Sequence, residues 1–437
     1  MLNDIHIDYF YSDEVGIDHY CRGRGTPLDW ITYVEKDSNK FGQMGCDSPP
    51  RLVKLMLDKL DKIEPDIDVI IISGDLISHG LSVELEDKDH DQYALLKEKI
   101  EDLLVDLIAK KFPNTFILPT IGNNDIKYHY VAPQVNFTAP DYYPFLYRTI
   151  FEKIPKNREL KVHGKNESFN TFGGYRVNYS DELDFIAFNS LYYNARTPSK
   201  DFYIRDAQFD WLESTLDNAE PGKKFVIFFH IYPGMYFIGK VRFFWETSSV
   251  LRFNDIIQRN SDKISLILGA HSHFPDMKIG FSHEFSLPFL LNNEDALLEY
   301  IPKWAMLITP SISPVFKNNP GFTLLNIEDQ KANNISWHFM ELYKFPRSEE
   351  EARFNTLDFK EDLGIDEFEP SAVLKFIKSI VEDRVTLYKY LAHKIGYTGK
   401  NIATGLAEYQ ELKMINLDEE YGYLCSLLNL LRTDYYF

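Results

Sequence analysis

Short apolar runs that end on Asp, Asn or His constrain this chain more than any other feature. Asp68-Val69-Ile70-Ile71-Ile72-Ser73 runs into Gly74-Asp75, and Thr115-Phe116-Ile117-Leu118-Pro119-Thr120 runs into Gly122-Asn123-Asn124-Asp125. A third run, 224–229, ends at His230, and a fourth, 264–268, ends just before His271-Ser272-His273. Asp4-Ile5-His6 is a further motif at the start of the chain. β-Branched runs of this kind read as strands buried on both faces, so each polar motif is delivered to the crevice beyond a strand's end. Between them, 50–63, 91–111, 206–217 and 248–260 carry apolar residues at helical spacing. After that the strands at 305–309, 322–327 and 335–341 follow one another without helices. Strand–helix alternation followed by a meander predicts an α/β sandwich with a mixed sheet. Residues 9–49 read as a long loop. Dense charge and helical spacing from residue 346 predict a mostly helical C-terminal subdomain, dividing the chain into 1–345 and 346–437.

Asp, Asn and His supply oxygen and nitrogen donors that suit Zn, Mn or Fe rather than Ca. On an extended segment Asp4 and His6 share one face and chelate one ion, and His271 and His273 share a face to reach two ions separately. Asp75 offers a carboxylate able to bridge two ions, and Asn123 offers a neutral amide oxygen. Each motif alone has an ordinary explanation, since a Gly-Asp is usually a turn. Their order, residue types and spacing together specify a two-metal phosphoesterase site with Asp4, His6, Asp75, Asn123, His230, His271 and His273 as metal ligands.

Composition narrows the partners. The net charge of −19 argues against capture of a nucleic-acid polymer or of an anionic membrane, both of which need a basic surface. No apolar run is long enough to cross a bilayer. No signal peptide is legible in this chain; its first motif arrives almost without a preceding strand, which leads us to expect an upstream segment. Cys21 and Cys46 bracket a polar stretch that either a disulfide closes or two reduced thiols flank. Sequons at Asn136, Asn166, Asn178 and Asn334 are glycosylation candidates. The aromatic stretch 235–245 reads either as a core segment or as the lining of a cleft with peripheral membrane contact, and Tyr192 and Tyr193 either stack on a base or pack in the core.

The motifs resemble the calcineurin-like metallophosphoesterases, and their neighbours resemble the acid sphingomyelinase-like phosphodiesterases. The narrower likeness rests on Asp4-Ile5-His6-Ile7-Asp8, Gly45-Cys46-Asp47-Ser48-Pro49, Gly74-Asp75 with His79 four residues on, His230-Ile231-Tyr232-Pro233-Gly234 and His271-Ser272-His273. It rests most on Thr309-Pro310-Ser311-Ile312-Ser313-Pro314, followed by Asn318-Asn319-Pro320-Gly321-Phe322. The resemblance implies a four-layer α/β/β/α sandwich with mixed sheets and two divalent metal ions, zinc first, with Mn or Fe as alternatives. Asp4, His6, Asp75 and His273 would hold one ion, and Asp75, Asn123, His230 and His271 the other. A hydroxide bridging the ions would attack phosphorus in line.

Two positions depart from the family pattern. Asn124 stands where the family usually has His, the acid that protonates the leaving group, and an amide cannot act as that acid. His79 is the first candidate for the remaining acid and His129 the second. Endopolyphosphatases also read Gly-Asn-Asn-Asp, so the substitution favours phosphoanhydrides. Ala270 replaces the usual Gly before His271. The resemblance thus implies a secreted or endolysosomal zinc phosphodiesterase acting on a nucleotide, a phosphocholine-type ester or another lipid headgroup. The alternatives are sphingomyelin hydrolysis proper, endopolyphosphatase activity, or a non-catalytic metal- or phosphate-binding module.

Overall fold

The apolar run at Val69–Ile72 (β1) pairs in parallel with Phe116–Pro119 (β2), and both are buried at the ends that lead into the site. These strands belong to a computed structural model that describes residues 1–12, 21–22, 41–82, 90–133, 139–196, 202–238, 240–280, 302–382 and 390. The first residues of the chain lie beside β1: Leu2 N–H donates to Ile71 O and Ser73 N–H to Leu2 O. On their other side Met1 exchanges backbone hydrogen bonds with Thr323. That residue lies in Gly321–Glu328, which pairs antiparallel with Lys331–Met340, and the latter pairs with Phe354–Asp358. The N-terminal segment thereby knits the β1–β2 pair to the three-stranded meander.

The other sheet has seven strands. In chain order they are β3 (Lys161–His163), β4 (Tyr175–Asn178), β5 (Leu183–Ala187), β6 (Lys224–Ile231), β7 (Ile264–Ala270), β8 (Asp276–Ile279) and β9 (Ala305–Ile308). Across the sheet the order is β8-β9-β7-β6-β5-β4-β3, parallel in its middle and antiparallel at both edges. Both sheets feed one apolar core. Helices α1 (Pro50–Ile63), α2 (His90–Glu101), α3 (Phe202–Asp217) and α4 (Thr247–Arg259) accompany them. α1 opens on Pro50, whose missing N–H costs nothing in a first turn. Its buried Leu52, Val53, Met56, Leu57 and Leu60 form one apolar stripe. The fold is a mixed α/β sandwich.

Some expectations need refinement. The helix expected over 91–111 is α-helical to Glu101 and continues over Asp102–Ala109 with the wider π pattern. Much of 346–437 lies outside the described residues; within the described part, Phe354–Asp358 is a strand that precedes the helix Pro370–Glu382. The 235–245 stretch is a hairpin, Met235–Ile238 with Lys240–Phe243, followed by a buried Trp245 whose indole N–H donates to Ile231 O. Tyr192 and Tyr193 are core residues, bonded through their hydroxyls to Tyr143 and to the Arg205 carbonyl respectively. Among the described residues, no helix is long and apolar enough to cross a membrane.

Candidate metal centre

Four parallel strands converge on the site, two from each sheet. Asp75 follows β1, Asn123 follows β2, His230 lies in β6 and His271 follows β7. The β6–β7 register slips between Phe228 and Ile231, so His230 sits in an irregularity that re-aims its ring out of the ladder. The two loop ends from β1 and β2 approach closely because both carry glycine. A Cβ on Gly122 would lie 2.1 Å from Asp75 N, and one on Gly74 2.6 Å from Gly122 N.

Asp4–His6 and His271–His273 bring their side chains together, but the backbone is not extended as expected. Asp4 and His6 have φ of 42°, Asp75 50°, His271 74° and His273 63°. Left-handed backbone at Asp and His carries strain, and clustered strain of this sort marks sites where surrounding structure dictates geometry. Here the dictating bonds are visible: Asp4 N–H donates to Gly74 O, His6 N–H to Asp75 O, and Ser313 N–H to Asp4 O. The Thr309–Pro314 motif is therefore scaffolding. Its Ser311 N–H also reaches His273 O, and the Asn318 amide clamps Ser311 Oγ and Ser313 O.

The donor atoms form two groups. In one, His6 Nε2 is 3.2 Å from His273 Nε2, and Asp4 Oδ1 is 3.5 Å from the latter. In the other, His230 Nε2 is 3.0 Å from Asn123 Oδ1 and 3.2 Å from His271 Nδ1. Asp75 Oδ2 stands between them, 3.4 Å from His6 Nε2 and 3.2 Å from His230 Nε2. The arrangement fits cations. His6 Nδ1 donates to Ile77 O, which leaves Nε2 of this neutral ring as a bare lone pair facing other donor atoms, and His230 Nδ1 donates to Ser73 O, which turns its Nε2 into the site. Asp4 Oδ1 is buried without a hydrogen-bond partner, a cost that a cation would remove. Burial, with neighbouring imidazoles adding, holds His271 and His273 well below the usual histidine range and His6 at about 4, so these rings are neutral donors. Burial also pushes Asp4 up to about 7. At His230 burial is outweighed by the Asp75 carboxylate, which pushes the ring up to about 9.

Asn124 has a definite task. Its backbone N–H donates to Asp75 Oδ1 and its amide nitrogen to Asp75 Oδ2, each at 2.8 Å. Asp125 pins the same loop by accepting from the N–H groups of Leu76, Ile77 and Gly122. His129 Nε2 lies 3.0 Å from the Asn123 amide nitrogen and so accepts its hydrogen bond. Ala270, the other departure, is fully buried at the end of β7.

His79 stacks on His6 with ring centroids 4.1 Å apart, and its Nδ1 is 3.0 Å from Asp47 Oδ1. Burial lowers the affinity of the His79 ring for a proton, yet Asp47 outweighs this and raises it. Asp47 also takes the His79 N–H and the Ser313 hydroxyl. Its pKa moves against its burial, downward, because His79, His6 and Arg22 surround it. Asp47 and Arg22 are the residues that sequence reasoning passed over; the Cys-Asp-Ser-Pro motif was the available signal for Asp47. Cys21 and Cys46 form a disulfide, Cα atoms 5.8 Å apart. At the rim, Tyr130 and Phe244 meet His271 edge-on, the Arg196 guanidinium lies 5.5 Å from the Tyr130 ring centre, and Phe316, 51% exposed, meets His273 edge-on. Of the sequons, Asn166 and Asn334 are exposed, Asn178 is tied to Asp184, and Asn136 lies outside the described residues.

The comparisons point the same way. Residues 1–275 match the calcineurin-like phosphoesterase model. The chain is 28% identical to "Sphingomyelinase phosphodiesterase D" of Dictyostelium discoideum, over 69% of this chain and 63% of that protein. It is 26% identical to human "Acid sphingomyelinase-like phosphodiesterase 3b", over 73% of this chain and 63% of that protein. It is also 23% identical to "Cyclic GMP-AMP phosphodiesterase SMPDL3A" of Bos taurus, over 87% and 81%. The chain thus spans under two thirds of the length of the first two of these relatives. With a family match over more than half its length and a buried His, Asp and Asn cluster at the strand ends, the chain belongs to the metal-dependent calcineurin-like phosphoesterases.

Proposed function

We propose that the protein is a dinuclear zinc phosphodiesterase of the acid sphingomyelinase-like kind, hydrolysing phosphodiester or phosphoanhydride bonds. The observation that carries this is the single oxygen, Asp75 Oδ2, shared between two buried donor groups. Asp4, His6, Asp75 and His273 would hold one ion and Asp75, Asn123, His230 and His271 the other. Such ions supply Lewis-acid polarisation of a phosphoryl oxygen and lower the pKa of water. Water adds to phosphorus, the P–O bond to the leaving group breaks, and the departing oxygen takes up a proton.

This chain's own residues orient those events. Asn124 and the strained backbone fix Asp75. With Nδ1 committed to Asp47, His79 keeps Nε2 to deliver the proton, and it is the proposed acid. His129 is the weaker candidate, because the nitrogen it turns toward the site already accepts from Asn123. Asn124 itself donates no proton; its work is on Asp75.

A good leaving group needs little acid, and the Arg196 cation lies over Tyr130, whose ring meets His271 edge-on at the rim, so a nucleotide or other phosphoanhydride is favoured over a phosphocholine ester or a lipid headgroup. Sphingomyelin hydrolysis and endopolyphosphatase activity are the alternatives. An extracellular or endolysosomal setting is supported by the Cys21–Cys46 disulfide and by the exposed Asn166 and Asn334. We also retain the division into a catalytic part, 1–345, and a C-terminal part, 346–437. The deciding experiment combines metal analysis with turnover. Two zinc ions per chain and chelator-sensitive hydrolysis of bis(p-nitrophenyl) phosphate are expected; bound zinc without turnover of this ester, ATP or a phosphocholine ester leaves only the binding module.

A further inference from the structure

Arg22 is one of the largest fully buried side chains in the molecule. Its guanidinium reaches three partners: Nε donates to Asp8 Oδ2, Nη2 to Asp47 Oδ2 at 3.2 Å, and Nη1 to the His79 carbonyl. Asp8 and Asp47 are themselves fully buried, so removal of the cation would strand two carboxylates in the interior. The neighbouring Cys21–Cys46 disulfide ties the residue before Arg22 to the residue before Asp47. Both the side chain and the main chain of His79 are thus held by one connected group. Asp47 takes its Nδ1 and N–H, and Arg22 takes its carbonyl.

We propose that Arg22 is a positioning residue for His79: fixed by the disulfide, it orients Asp47 and the His79 backbone so that the imidazole stays stacked on His6. Arg22 touches none of the donor atoms of the two metal groups in the contacts described above. Its loss is therefore expected to disturb proton delivery rather than metal binding. A planar fork is what the task needs, since two carboxylates and a carbonyl are satisfied at fixed angles; lysine offers one charge but not the fork. The proposal rests on the phosphodiesterase reading for its kinetic arm and stands apart from it for its spectroscopic arm.

The test compares wild type, Arg22→Ala and Arg22→Lys, each loaded with zinc, on two esters. Glycerophosphocholine expels an alkoxide that needs a proton, whereas bis(p-nitrophenyl) phosphate expels a phenolate that does not. In Arg22→Ala the ratio of kcat on glycerophosphocholine to kcat on the aryl ester should fall about 100-fold, in the range a displaced general acid forfeits. Zinc content should stay at the wild-type value, added guanidinium should restore much of the ratio, and Arg22→Lys should fall between. In parallel, the Nδ1–H proton resonance of His79 in 15N-histidine-labelled protein should vanish in Arg22→Ala and return with guanidinium. Equal slowing on both esters, or loss of zinc, would show a merely structural role and overturn the proposal. An unmoved His79 resonance overturns it whatever the kinetics. Inactivity of wild type on both esters instead overturns the phosphodiesterase reading, and the resonance then decides Arg22 alone.

Discussion

Truncating Asn124 to Ala tests whether this residue, where the family usually has the acid, has become a clamp on Asp75. The side chain contributes one charge-assisted hydrogen bond of 2.8 Å to Asp75 Oδ2, the oxygen shared by both donor groups. The backbone bond from Asn124 to Asp75 Oδ1 survives the truncation, so half of the clamp remains. A hydrogen bond to a buried charge is worth about 1.5–3 kcal/mol. At about 1.4 kcal/mol per tenfold, zinc affinity should drop roughly 10- to 100-fold. Competition with a chromophoric chelator, titrated against metal-free protein, reads this directly, and the melting temperature of the metal-free form controls for misfolding. Asn124→His, which restores a ring N–H able to donate, should recover most of the affinity. Unchanged zinc affinity in the Ala variant would refute the clamp and return Asn124 to being only a lost acid.

Three further outcomes are expected. Gly122→Ala places a methyl carbon 2.1 Å from the Asp75 backbone nitrogen, a clash with main chain that cannot be relieved by a rotamer change; the variant should lose both zinc ions in metal analysis, and retention of either contradicts the close-approach argument. Arg196→Gln should lower the ratio of kcat/KM for ATP over p-nitrophenylphosphorylcholine by about tenfold, the value of one charge-assisted contact, and an unchanged ratio removes Arg196 from substrate selection. His338 is buried against Phe322 with hydroxyls at both ring nitrogens, and burial lowers its pKa to about 4. Between that value and about 6.5 the unfolded state binds more protons than the native state, so stability rises with pH there and nothing is lost above the window. Wild type should therefore lose about 2 kcal/mol from this group between pH 7.5 and pH 5, and urea titrations of His338→Gln should show that loss removed.

The strands that carry the site were legible because burial on both faces leaves a continuous β-branched signature, as in Val69–Ile72 and Ile264–Ala270. The short strands β3, β4 and β8 went unread, since three or four residues of mixed character leave no period to detect. The seven residues proposed as donors were picked out by residue type and order, and the structure brings their side chains together. Their backbone was not legible, because left-handed Asp4, His6, Asp75, His271 and His273 are held by hydrogen bonds to segments far away in sequence.

The sequence by itself determined which residues offer donors suited to metal, that most of them follow buried apolar runs, and that Asn124 stands where the family resemblance leads one to expect an acid. Only the tertiary structure decided how they are shared and supported. It placed Asp75 Oδ2 between two groups, turned Asn124 onto that same carboxylate, and assembled Arg22, Asp47 and His79 from separate loops joined through the Cys21–Cys46 disulfide. Strand periodicity is a local property written along the chain, whereas hydrogen bonds between loops depend on where the two sheets bring their ends together.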